Sequence, residues 1–244
     1  MSVLKANLLV TPQELYTSSS TQGTDIGALA TTGDSRYFRY ALAGGTTLVP
    51  GTLQASSAQD QTNLTPAGGL SIAAAAVGAT TVTTTSTVTL TANQAAGGTL
   101  HVVLANGASY VGYTYKIKSH PAATAAVVTF TLEDPIQIAL TTSSKVVVLP
   151  NPYNGVIINP ATVSGMPVGV PLYAVVNAQY GWIQTHGVVS CLIGAADITV
   201  GKSLMPSAAT AGALIVGTGV FAPVGYTIVG TKTTESDPIF LTID

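Results

Sequence analysis

Short apolar runs alternate with small turn residues along most of the chain. The clearest alternation spans Val82 to Thr91. Val82, Thr84, Ser86, Val88 and Leu90 share one parity, and Thr83, Thr85, Thr87, Thr89 and Thr91 fill the other. β-Branched residues crowd a helix and suit a pleated sheet, so this pattern predicts a one-sided strand with a hydroxyl face. Ala73 to Ala76 favours helix on propensity, but the threonine-rich run downstream argues for strand. Arg36 to Ala43 (RYFRYALA) alternates Arg36, Phe38 and Tyr40 against Tyr37 and Arg39. Tyr113, Tyr115 and Ile117 share a face with Val111, opposite Lys116 and Lys118. From Tyr180 to Met205 a strand-like run starts with Trp182, is interrupted at Gly187 and continues as an apolar run to Ile193. Gly194 to Asp197 and Gly201 read as turns on either side of a short strand.

Further short strands recur at near-regular spacing, among them Thr99 to Leu104, Val127 to Leu132, Lys145 to Leu149, Val224 to Val229 and Ile239 to Ile243. Gly- and Pro-rich turns separate them. This predicts an all-β protein of short-stranded antiparallel barrel or sandwich domains, with helix below about 15%. Three regions follow. Residues 1–35 form an extended N-terminal arm. Its leucines Leu4, Leu8, Leu9 and Leu15 are cut off from a core of their own by the Ser18–Gly23 stretch, and Thr11, Pro12 and Glu14 can start one helical turn. Residues 36–150 form a β domain with Thr- and Ala-rich strands. Residues 151–244 form a C-terminal, barrel-like β domain beginning at the Asn151–Asn154 turn. The tripeptide Asp-Pro-Ile at Asp134 and again at Asp237 is turn chemistry reused before a strand.

Composition narrows the function. Of 244 residues, 47% are hydrophobic and only 7% charged, with 8 basic and 10 acidic side chains. A globular domain carries about 25% charge. With net charge −2 and mean hydropathy +0.47, colloidal repulsion is weak, and self-association is expected. No basic field exists to hold nucleic acid. No run reaches the length of a membrane helix and no signal peptide is evident, so no membrane partner is expected. The single cysteine, Cys191, forms no internal disulfide and sits in an apolar run as a small hydrophobe.

Motifs with chemical content are sparse. Gly201-Lys202-Ser203 lacks the earlier glycine of a phosphate loop, since Ala196 stands there, and Pro206 stops any following helix. His101, His120 and His186 lack metal-ligand spacing. His186 and Cys191 would form a nucleophile pair only at an open mouth, with a third group orienting the histidine. The acids fall mostly in turns, and Asn63-Leu64-Thr65 matches the glycosylation pattern but is expected to be idle. No catalytic, cofactor or metal site is expected, and the chain is not expected to be an enzyme.

Three stretches carry a resemblance: RYFRYA from Arg36, the segment from Leu100 through Phe130 to Ile136, and YGWIQTHG from Tyr180. Together they resemble tailed-bacteriophage virion proteins of the capsid decoration or cement (minor head protein) type. The resemblance implies a structural role on the outer surface of the phage head, binding the major capsid protein and other copies of itself, with homotrimers common. Leu4, Leu8, Leu9, Leu15, Arg36, Phe38, Arg39 and Tyr40 are then the candidate interface, with Arg and Tyr as anchors. Trp182 is the candidate core anchor. The alternative is a head-fibre or receptor-binding module that stacks glycans on a face formed by Tyr110, Tyr113 and Tyr115. Exposure of that cluster would favour it, and burial would count against it.

Overall fold

A computed structural model describes residues 8–105, 112–162, 164–194, 196–219 and 222–244. The fold is all-β: 43% of the chain is strand and 2% helix, with a closed five-stranded barrel and curled sheets. Before the midpoint lie β1 (Leu8–Leu9), α1 (Pro12–Leu15), β2 (Leu29–Thr31), β3 (Tyr37–Ala43) and β4 (Gln54–Ala55). Next come β5 (Leu70–Ser71), β6 (Thr81–Thr83), β7 (Val88–Leu90), β8 (Thr99–Leu104), β9 (Thr114–Ser119), β10 (Ala123–Ala126), β11 (Thr129–Leu132) and β12 (Lys145–Leu149). The chain ends with β13 (Asn154–Ile158), β14 (Pro167–Pro171), β15 (Tyr180–Leu192), β16 (Ser203–Pro206), β17 (Leu214–Val216), β18 (Gly225–Thr227) and β19 (Ser236–Thr242).

Two compact units result. One is the continuous segment Gln59–Asn151; the other joins the residues up to Ala58 with Pro152–Asp244. This corrects the division into 36–150 and 151–244: residues 36–58 belong with the C-terminal strands. The reason is strand pairing, because β3 and β4 find their hydrogen-bond partners in β13, β14 and β15.

In the discontinuous unit, β3-β13-β4-β14-β15 closes into a barrel through the pairing of β3 with β15. Every pairing in the ring is antiparallel except β13 with β3. Five strands enclose little space, and the interior is correspondingly lined by Ala41, Ala43, Leu48, Val156, Val168 and Ile183. β15 is 13 residues long. Its first half pairs with β3, and from His186 onward it pairs with β19. Gly187 lies at this handover with φ 91°, just past a register shift against β3. The glycine expected to interrupt the run therefore bends the strand without ending it. β19-β18-β16-β17 continue the sheet, which curls until Leu214 bridges Ile193. Cys191, Ile193, Leu204, Leu214, Ile239 and Leu241 are buried in that curl.

In the continuous unit, the six-stranded sheet β5-β12-β8-β9-β11-β6 curls until Ile72 bridges Thr84. It wraps a core that includes Leu100, Ile117, Phe130, Leu132, Val146 and Val148. β7 and β10 form a separate ribbon. The single strand expected over Val82–Thr91 is thus split between β6 and β7. Thr84 Oγ1 accepts the Val128 N–H (3.0 Å), while the N–H groups of Thr85 and Ser86 turn to the Ser71 carbonyl, so the chain changes partner there. The alternation survives the break: Val82, Thr84, Val88 and Leu90 are all buried. His120 is also interior, accepting the Ala95 N–H at 2.9 Å through Nε2 and donating from Nδ1 to the Pro121 carbonyl at 2.8 Å.

Candidate functional site

Six of the nine residues singled out from the sequence meet at one place, where the N-terminal arm lies against β3 and β15. Thr11 and Glu14 cap α1 reciprocally. Glu14 Oε2 accepts the Thr11 N–H at 2.7 Å, Thr11 Oγ1 accepts the Glu14 N–H at 3.4 Å, and Pro12 opens the turn. These bonds from Thr11, backbone first, hold the Glu14 carboxyl below its ordinary range. The cap aims Leu15 inward, where it is 2% exposed beside Val10, Ala30, Phe38, Tyr40 and Trp182. β1 adds a parallel pairing to β2, with Leu8 opposite Ala30 and Leu9 opposite Thr31. Ser19 and Tyr180 exchange both backbone hydrogen bonds, at 3.0 and 2.8 Å, and Ser18 Oγ donates to Gln179 Oε1 at 2.7 Å.

Three aromatic rings form the floor. Tyr40 meets Trp182 edge-on at 5.0 Å and lies parallel to Tyr180 at 5.9 Å. Such arrangements suit the ring quadrupoles. The Tyr40 hydroxyl accepts the Gly23 N–H at 3.0 Å, tying the end of the polar stretch to the barrel. Between arm and floor is a groove of about 360 Å³, lined by Leu8, Leu9, Glu14, Tyr40, Tyr180 and Trp182 among others.

Several expectations change. Leu15 is not isolated from a core: it completes one within its own chain. Phe38 and Tyr40 are buried beneath the arm and so are not exposed interface anchors. Leu8 and Leu9 remain exposed, at 42% and 77%, and Leu4 lies outside the described residues.

The two arginines separate. Arg39 pairs with Asp244, Nε to Oδ2 at 2.9 Å and Nη2 to Oδ1 at 3.3 Å, and also donates to the Gly27 carbonyl at 2.9 Å. Its guanidinium lies over Tyr153, 5.8 Å from the ring centre. Burial pushes the Tyr153 hydroxyl up to about 12. Burial is the largest single influence on Asp244 and opposes its ionisation, but the Arg39 and Thr185 hydrogen bonds and the positive charge nearby together outweigh it and hold that carboxyl below its usual value. Arg39 therefore clamps the end of the described chain rather than reaching outward. Arg36 lies elsewhere, paired with Asp34 at 2.8 Å on the surface.

The remaining candidates also have places. Tyr115 is buried and its hydroxyl accepts the Gln137 N–H at 2.9 Å, while Tyr113 stacks against it at 6.4 Å and is exposed. Tyr110 lies outside the described residues. His186 and Cys191 occupy opposite parities of β15, and burial pushes the Cys191 thiol up to about 12. Lys202 precedes β16, so a strand follows the Gly-Lys-Ser turn. Among the described residues, no group of three His, Cys, Asp or Glu side chains could hold a metal ion. Tyr180 and Val10 belong to the site but escaped sequence reasoning; Tyr180 shares its parity with Trp182, which was the available signal. Compared with family models, curated proteins and solved structures, the chain matches none of them.

Proposed function

We propose that this chain is a structural protein of a tailed-phage head, a decoration or cement protein that binds the major capsid protein and further copies of itself. The supporting observation is a pairing. Two of the three stretches that carry the resemblance, RYFRYA and YGWIQTHG, are hydrogen-bonded neighbours in the barrel, with Tyr40 opposite Trp182, Arg39 opposite Ile183 and Phe38 opposite Gln184. The shared motifs thus form one platform instead of being scattered over the surface. The arm, closed over that platform, leaves Leu8 and Leu9 on the edge strand of the sheet among the described residues, where a neighbouring shell subunit can add a strand. The action is mechanical: each added contact raises the cost of separating shell subunits. The test is cosedimentation of the purified chain with undecorated heads assembled from a tailed-phage major capsid protein. Saturable binding that weakens in a Leu8→Lys/Leu9→Lys variant supports the proposal; no binding at tens of micromolar defeats it.

The glycan-binding alternative draws on the groove. Tyr40 and Trp182 are buried there, so the aromatic group open to a sugar is the half-buried Tyr180, with the Glu14 carboxylate on the same groove as a polar group. Titration with host-envelope oligosaccharides, read by Trp182 emission, distinguishes it: a saturable change favours the receptor module, and a flat response removes it.

A further inference from the structure

The outer face of the β15–β19–β18 sheet carries an apolar row between polar neighbours such as Ser190 and Thr242. In antiparallel sheets that cover a core on one side, the other side is ordinarily polar. Here Val188 pairs with Phe240, and Phe240 pairs with Tyr226, placing the three in one row across three strands. Their chain neighbours Val189, Ile239, Leu241 and Thr227 are buried, so this row faces outward. Val188 is 48% exposed, Tyr226 45%, and Ile228, two residues further on, 40%. Beside the row is a hollow of about 390 Å³ lined by Asp34, Ser35, Arg36, Gly187, Val188 and Phe240. Its two charged groups, Asp34 and Arg36, are opposite in sign and joined at 2.8 Å.

We propose that this face binds the same face of a second copy about a twofold axis. A twofold interface must be self-complementary, each patch contacting its own image. This one carries both halves of a fit: an exposed ring, Tyr226, and a hollow floored by Phe240 and Val188 that can receive it. Its charge is likewise self-complementary. One cation and one anion at the margin can each meet the opposite group of the twin, while a partner bearing net charge of either sign would find no surplus to pair with. A tyrosine in the hollow buries its ring and keeps its hydroxyl within reach of Arg36 or Asp34, the amphipathic use for which tyrosine is favoured at interfaces. This self-contact rests on the part of the proposed function in which the chain binds copies of itself, and it is tested on the chain alone, so its failure is distinguishable from a failure to bind heads.

Sedimentation equilibrium of the full chain over a concentration series tests it. The wild type should associate at or below about 50 μM. Val188→Lys and Tyr226→Lys should each weaken association at least tenfold, whereas Tyr226→Phe should keep most of it. Val77→Lys, at a 61% exposed position in the other unit, should leave it unchanged. Far-UV circular dichroism and Trp182 emission verify that each variant is folded; because the substituted side chains are solvated, lysine should be tolerated. A monomeric wild type, or association that survives both lysine variants in folded protein, overturns the proposal.

Discussion

Replacing Trp182 with alanine probes the junction on which the arm, β3 and β15 all depend. A tryptophan side chain can bury up to about 250 Å², and Trp182 is only 8% exposed. At about 25 cal/mol per Å², removing that surface from water is worth roughly 6 kcal/mol gross. Alanine retains part of it, and compactness of the unfolded chain lowers such estimates by about 10–40%. The expected loss is therefore about 3–5 kcal/mol, which is also the range of large-to-alanine truncations in cores. Backbone pairing with Tyr40 is untouched, so the cost comes from side-chain packing. Trp182→Phe keeps a ring to meet Tyr40 and should cost about half as much, as a smaller cavity implies. The assay is urea unfolding followed by far-UV circular dichroism. In the wild type, emission from the chain's single tryptophan identifies which transition belongs to the discontinuous unit. A loss below about 1 kcal/mol for Trp182→Ala would refute the packing argument, since a cavity at a buried ring costs more than that. So would equal damage from the alanine and phenylalanine variants.

Asp244→Asn should lower stability by about 1 kcal/mol at neutral pH, the scale of a partly solvated charge-assisted pair. Because its folded-state carboxyl is held below the ordinary value, this contribution is present above about pH 4 and is lost as pH falls through the lowered value. The melting temperatures of wild type and variant should therefore converge on acidification, and a constant gap down to pH 3 would contradict the clamp. Native Cys191 should resist a thiol reagent at pH 8 and react only on unfolding, because its thiol is buried and pushed up to about 12; rapid labelling of folded protein would contradict its burial. Gly187→Ala places a side chain at φ 91°, with its Cβ 3.0 Å from Arg36 Cγ. It should cost about 1–3 kcal/mol, measured by Trp182 emission in urea; a neutral effect would mean the bend does not need glycine.

Strand positions and their faces were legible in the sequence because period-two alternation is a local property of the pleated backbone. Val82, Thr84, Val88 and Leu90 kept their buried parity even though the strand broke at Thr84. Thr11, Pro12 and Glu14 announced their helical turn because a capping box closes within four residues. Burial of Trp182 followed from one large ring at the start of an apolar strand. Pairing across long separations was not legible. Phe38 and Tyr40 looked as suited to an outward face as to a core, and only the arrival of Leu15 from the arm made them interior. Nothing near Arg39 pointed to Asp244, 205 positions away, whereas Arg36 found its partner two residues off. The alternation along β15, β19 and β18 marked which side chains share a face, yet Val188, Phe240 and Tyr226 became one apolar row only once the three strands were aligned. Local sterics select strand, turn and cap; barrel closure, the docking of the arm and the choice of charge partners depend on which distant segments satisfy one another's hydrogen bonds and apolar area, and that is decided by the folded chain as a whole.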